Sequence, residues 1–217
     1  MTLPFPPVGD DDSHLIYSTS KCSLGQVLVA GFRNANSKGQ VCFLSLGDDR
    51  ATVLDELSAA HSVRRVVETD AAFQAELAAI VEFIELPAEP LRLPLDLHGT
   101  DFQKRVWIAL TQTHPGETIT YRELADRIGS PGSSRAVGSA CGQNQIALAI
   151  PCHRAVRSDG KDSGFRWGLE RKQELLRRER MANGGTTEST TSQLHFPAFD
   201  ALPLKQPSAS NTLKTLP

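Results

Sequence analysis

At 217 residues the chain is long enough for one large core or two small ones, and its composition is that of an ordinary globular protein. Four scattered cysteines with no legible secretory leader argue against a disulfide framework, and no apolar run approaches the length of a bilayer span. A net charge of -2 hides a division: residues 1–99 hold 7 Lys and Arg against 14 Asp and Glu, whereas residues 100–180 hold 14 against 9, which suits a polyanionic partner unless that charge is merely solvated surface.

Residues 1–20 are proline-rich and acidic and are expected to form a flexible leader. From Gln26, "QVLVAGF" reads as a strand, "RNANSKGQ" as turn formers and "VCFLSL" as a second strand, together a hairpin. "DDRATVLDELSAAH" combines helix start signals with helical spacing, and "VRRVVE" reads as another strand. "DAAFQAELAAIVEFIE" aligns Ala72, Phe73, Leu77, Ile80, Val81 and Ile84 along one helix face, and Pro87, Pro90 and Pro94 end that helix. Residues 21–98 therefore read as a small α/β domain.

A second domain is expected over residues 99–181. In "GTDFQKRVWIALTQTHPGE", Thr100 or Asp101 caps a helix whose Phe102, Val106, Trp107 and Leu110 face inward, and the helix stops before Pro115 and Gly116. "TYRELADRIGSPGSSRAVGSACGQN" gives a short helix begun at Thr120 and closed by Gly129, then another short helix, a helix-turn-helix pattern. The apolar "IALAI" breaks at Pro151, after which Cys152, His153 and Arg154 follow in an extended or turning chain. "RSDGKDSG" reads as a turn and "WGLERKQELLRRERM" as the last helix, and the composition of residues 182–217 predicts a disordered tail.

A thiol becomes a nucleophile when a base, a cation or a helix N-terminus favours its thiolate. Cys152 stands beside His153, yet neighbours on an extended strand face opposite ways, so the pair can cooperate only through a turn or a bridging water. A small buried cysteine next to a satisfied core histidine is the plainer alternative. Two adjacent ligands without a CxxC or HxxxH partner lack the spacing of a tetrahedral site, and no metal is expected.

Three stretches change that balance: "FQKRVWIALTQTHPGETITYRELADRIGSPGSSRAVGSACGQN", "LAIPCHRAVRSDG" and "SGFRWGLERKQELLRRE", within residues 99–180. On these the chain resembles the O6-alkylguanine-DNA alkyltransferases (methylated-DNA-protein-cysteine methyltransferases), in particular the C-terminal half of bacterial Ada proteins. A looser match of "CSLGQVLVAGF" with "LPLDLHGT" extends the likeness back to about Lys21. The resemblance implies an α/β chain in which a ribonuclease H-like domain supports a mainly helical domain carrying the helix-turn-helix.

It also implies a chemistry. Cys152 would attack the alkyl carbon on O6 of guanine, or on O4 of thymine, and keep it as a thioether, so that each molecule reacts once. His153 would take the thiol proton through a water, Glu179 would orient that histidine, Tyr121 would donate toward the departing base, and Asn144 would tie the second helix to the active-site turn. Arg135 would fill the stack left by the flipped nucleotide, while Ala136, Gly138 and Ser139 are small enough to let their helix approach the minor groove. Cys141, Phe165, Arg166 and Trp167 would line the pocket. Phe165 stands where the family usually has tyrosine, and Trp167 would narrow the space in favour of methyl over benzyl adducts.

The implied partner is double-stranded DNA carrying O6-alkylguanine, with no cofactor, no membrane, no obligatory protein partner and a bacterial cytoplasmic setting. The zinc-cysteine repair domain and activator helices of complete Ada proteins are not recognisable, so phosphotriester repair and induced transcription are not expected. Three rivals differ in kind. A lesion-binding relative without the thiol conflicts with Cys152, an operator-reading regulator conflicts with the small-residue second helix, and a thiol hydrolase would turn over a small ester.

Overall fold

Three antiparallel strands, β1 (His14–Cys22), β2 (Gly25–Arg33) and β3 (Val41–Gly47), come first among the described residues, and after helix α1 (Arg50–Ala60) a short β4 (Val66–Glu68) joins β1 in parallel. The sheet order is β3-β2-β1-β4. This computed structural model describes residues 14–33, 39–61, 66–69, 72–159 and 164–184. Most of the expected tail, of the leader and of the "RNANSKGQ" turn lies outside those residues, as does part of "RSDGKDSG", and Ala182, expected in the tail, is instead the last residue of a helix.

The leader expected over residues 1–20 is too long, because β1 already starts at His14. Its "STS" looks like loop chemistry, but Ser18 is buried and its hydroxyl donates to the carbonyls of Thr69 and Ala72, while the backbone pairs with β2 on one side and β4 on the other. Tertiary pairing outweighs the local polarity.

Both faces of the sheet are covered. Leu15, Tyr17, Leu28 and Ala30 pack with Val53 and Leu57 of α1, while Val27 and Val29 point to the opposite core, as strand alternation requires. That second core takes Leu77, Ile80, Phe83 and Ile84 of α2 (Gln74–Glu85) and continues into the C-terminal half. The helix starts at Gln74 rather than at Asp70 because Phe73 adopts a left-handed conformation, with φ 58°.

An extended passage over residues 86–100 then leads to α3 (Asp101–Thr111), the two-residue β5 (Ile119–Thr120), α4 (Tyr121–Arg127), α5 (Ser134–Gly142), β6 (Ala155–Val156) and α6 (Leu169–Ala182). Val106, Trp107 and Leu110 face inward as their spacing predicts, and Phe102 is half-buried at the core's edge. Thr100 and Gln103 form a reciprocal capping box on α3, and Thr120 and Glu123 form another on α4. No helix among the described residues is long and apolar enough to cross a bilayer.

The outer edge of β3 positions the rest. Every residue of this strand is buried, because its free edge is taken up by two segments from further along the chain. Val41 bonds to Pro94 and Asp96, and Leu44 bonds to Gln145 and Ala147 at 2.9 Å each. The apolar "IALAI" is thus docked on the sheet as a bridge and turns. Replacing Thr120 by Ala removes the acceptor for the Glu123 N–H and is expected to lower unfolding stability by about 1 kcal/mol in a denaturant titration.

Candidate active site

The segment docked on β3 ends in a tight sequence of turns. Leu148 is buried with φ 64°, a left-handed conformation that a leucine holds only where packing enforces it. Pro151 then leads into a single 3-10 turn, Cys152–Arg154, closed by an Arg154 N–H to Pro151 carbonyl bond of 3.0 Å. Successive side chains of such a turn fan out by about 120°. Cys152, His153 and Arg154 therefore reach three different partners from adjacent positions.

Cys152 is 7% exposed, and Asn144 Nδ2 donates to its Sγ at 3.2 Å. The same amide donates to the Ile150 carbonyl at 2.9 Å, while its Oδ1 accepts the Ile146 N–H at 2.9 Å. Asn144 thus bridges the end of α5 to the thiol turn. Burial pushes the Cys152 thiol up to about 11, opposed by the Asn144 donor and by the charges of Lys172 and Arg166. Burial raises the Cys141 thiol still more strongly.

His153 is fully buried, with Nε2 2.8 Å from Glu179 Oε1. Burial lowers its pKa, and the Glu179 carboxylate only partly offsets that, so the ring is neutral at pH 7. The carboxylate as acceptor fixes the proton on Nε2, and Nδ1 is left buried with its lone pair and no protein partner among the described residues. Arg154 turns the other way and grips the same carboxylate through Nη2 at 2.8 Å and Nε at 3.1 Å, with Nη1 donating to the Thr113 carbonyl at 2.5 Å. The Gly116 N–H adds a bond of 3.0 Å to Glu179. Burial alone would raise the Glu179 carboxyl, but His153 and Arg154 hold it down to about 2.

Helix α6 supplies this carboxylate from its inner stripe, Lys172, Leu175, Leu176 and Glu179. Lys172 is a site residue that the sequence reading misses. It is fully buried and donates to the Ala155 carbonyl at 2.8 Å, placing a cation near both buried thiols. A signal for it exists in the helical spacing: seven residues before Glu179, it falls on the same helix face.

A cleft of about 640 Å³ opens on the helical half, and Cys152 and His153 are not among the residues that line it. Tyr121, Ser134, Arg135 and Gly138 of the helix pair line one part of it, with Arg122, Arg157, Ser158 and Gly164 around the rest. Arg135, Ala136 and Ser139 are exposed along α5, Gly138 is half-buried close to the Tyr121 ring, and Cys141 is buried. Phe165 stands edge-on to His153 at 6.2 Å between centroids and to Trp167 at 5.2 Å, and the Arg166 guanidinium lies 5.7 Å from the Trp167 ring. Arg122, Arg157 and Ser158 are cleft residues that the sequence reading does not anticipate. Among the described residues, no three His, Cys, Asp or Glu side chains are gathered as metal ligands.

Comparisons with known proteins agree with one another. Residues 101–181 match the family model described as 6-O-methylguanine DNA methyltransferase, DNA binding domain. The chain is 43% identical over 171 residues to the bifunctional transcriptional activator/DNA repair enzyme Ada of Escherichia coli, covering 79% of this chain and 47% of that protein, so it spans about half the length of Ada. It is 35% identical over 180 residues to the methylated-DNA–protein-cysteine methyltransferase of Debaryomyces hansenii, covering 76% of this chain and 91% of that one. Its fold resembles the crystal structure of Mycobacterium tuberculosis OGT in complex with DNA, with a TM-score of 0.65 and 32% identity over 77% of this chain and 94% of that one.

The buried groups make stability depend on pH. Glu179 has a depressed pKa, so its stabilising effect is complete above the unfolded value of about 4.3 and is lost as pH falls toward about 2. The buried neutral His153 adds a loss that begins below about pH 6.5, so unfolding free energy is expected to fall steadily on acidification. Glu179→Gln should cost about 3 kcal/mol at pH 7, by leaving Arg154 buried without its anion, and should flatten the acid limb in denaturant titrations. Asn144→Leu removes the donor to Sγ, and the pH midpoint for labelling Cys152 with iodoacetamide should move upward.

Proposed function

The chain belongs to the methylated-DNA–protein-cysteine methyltransferase family, and from that premise we propose that it repairs DNA by moving an alkyl group from O6 of guanine, and from O4 of thymine, onto its own Cys152. The observation that carries this reading is the joint placement of Asn144 on the Cys152 sulfur and Glu179 on His153; a cleft edged with arginines lies on the same helical half. A thiol raised by burial needs a base, and His153 Nδ1 is the unsubstituted acceptor next to it in sequence.

In the proposed step a water carries the thiol proton to His153 Nδ1, and Glu179 stabilises the resulting imidazolium. The sulfur pair forms the bond to the alkyl carbon as the carbon–O6 bond breaks, and its electrons return to the base. Tyr121 donates a proton to that base and takes one back, through water, from the His153 imidazolium, so that the thiol hydrogen ends, in sum, on restored guanine and the alkyl group on sulfur. Nothing in the site frees a thioether, and each molecule acts once.

For a thiol to reach an atom inside the stack, the nucleotide must leave the duplex. The arginine-edged cleft is the receiving surface in this reading: α4 and α5 act as a helix-turn-helix with Ala136, Gly138 and Ser139 toward the minor groove, and Arg135 fills the gap. Cys141, Phe165, Arg166 and Trp167 form the alkyl pocket. Residues 99–181 are the reacting domain, the N-terminal α/β part is a ribonuclease H-like support, and the setting is the cytoplasm. The similarity to Mycobacterium tuberculosis OGT, which was crystallised with DNA, supports DNA as the partner.

Intact mass after mixing with a duplex carrying one O6-methylguanine tests the whole. The expected result is a gain of one methyl group on Cys152, in step with loss of the lesion and absent from Cys152→Ser. Repeated turnover of a small ester without mass gain would instead identify a hydrolase.

A further inference from the structure

The indole N–H of Trp167 is held from the other half of the chain. It donates to Ser45 Oγ on β3 and to Glu56 Oε2 on α1, at 3.1 Å each, across 122 and 111 residues of sequence. Ser45 is fully buried and its hydroxyl donates to the same Glu56 oxygen, so the carboxylate receives both donors. The backbone of Trp167 is held as well. Arg171 Nη1 donates to the Trp167 carbonyl at 2.8 Å, while Nε of the same guanidinium reaches the Leu24 carbonyl at 2.9 Å and Nη2 reaches Asp48 at 2.5 Å. Immediately after Trp167, Gly168 takes φ 97°, turning the chain into α6.

We propose that Ser45 and Glu56 are positioning residues of the alkyl-transfer site: by pinning the Trp167 indole against Phe165 they set how large an adduct can reach Cys152. The inference rests on the alkyl-transfer reading above and goes beyond it, because it gives the N-terminal α/β part a role in substrate selection. The physical chain is short. Trp167 stacks edge-on with Phe165 at 5.2 Å, and Phe165 with His153 at 6.2 Å, so the indole is one ring removed from the base that serves the thiol. Hydrogen bonds to an ionised acceptor are stronger than neutral ones, and a buried indole N–H that loses its partner pays a desolvation cost, so the ring turns toward another acceptor or toward solvent. Either movement widens the space behind Phe165.

The test uses the full chain and measures single-turnover transfer from duplexes carrying O6-methylguanine or O6-benzylguanine. Glu56→Ala is expected to raise the ratio of benzyl to methyl rates about tenfold, since a pocket that gains room discriminates less between adduct sizes. Glu56→Gln keeps an oxygen acceptor and should restore the ratio to within about threefold of the unaltered chain. Trp167→Phe should raise the ratio by itself and leave Glu56→Ala with no further effect, the non-additivity that a direct coupling requires. Independently of activity, Glu56→Ala should shift one of the two indole N–H resonances in a nitrogen–proton correlation spectrum.

An unchanged ratio in Glu56→Ala overturns the proposal, as does an equal change in both rates, or an effect of the same size with and without the indole. Failure of the unaltered chain to alkylate Cys152 from either duplex is a different result: it removes the alkyl-transfer reading itself, and the proposal with it.

Discussion

The carboxylate of Glu179 is a buried anion, and most of the C-terminal architecture is arranged to make it tolerable. Taking a carboxylate out of water costs several kcal/mol unless donors replace the lost hydration. Here they come from two separate places: His153 and the doubly bonded Arg154 on the 3-10 turn, and the Gly116 backbone in the loop that follows α3. Satisfying one charge therefore fixes α6, the thiol turn and that loop against one another. It also fixes which nitrogen of His153 carries the proton.

A second constraint is the edge of β3. An open strand edge exposes unpaired backbone groups, and this one is closed by residues near Pro94 and by the segment from Gln145 to Ala147. The segment that delivers Cys152 is therefore built onto the N-terminal sheet. The halves are joined by charge as well as by backbone. Arg171 pairs with Asp48 and Arg178 with Glu85, so part of the basic surplus of the second half answers the acidic surplus of the first. Arg122 and Arg135 line the cleft with exposed side chains, together with Arg157, which pairs with Asp159. The charge division read from the sequence thus serves two purposes, internal cohesion and a basic mouth.

The 3-10 turn itself shows how adjacent residues can be served by different elements. In an extended chain Cys152 and His153 would point apart, and in the 3-10 turn they still diverge, but their targets converge from other elements. Asn144 reaches the sulfur from the end of α5, Glu179 reaches the imidazole from α6, and Leu148 accepts a left-handed backbone so that the apolar approach can fold under them.

What the sequence determined by itself is whatever neighbours along the chain decide: the capping boxes of Thr100 with Gln103 and Thr120 with Glu123, the inward stripe of α3, the breaks at Pro115 and Pro151, and the proline-fixed "IPCHR" that carries the family resemblance. Through that resemblance Cys152, His153, Asn144 and Glu179 were also legible, and they meet in space. Tertiary structure alone decided the rest. The polar β1 became a strand because two other strands pair with it, and Lys172 became a buried cation because the α6 face that carries Glu179 turned inward with it. Trp167 found its acceptors more than a hundred residues away. Capping and periodicity act within a turn or two of helix and so leave a local pattern, whereas a hydrogen bond between distant segments exists only once the whole chain has packed, and no short stretch of sequence records it.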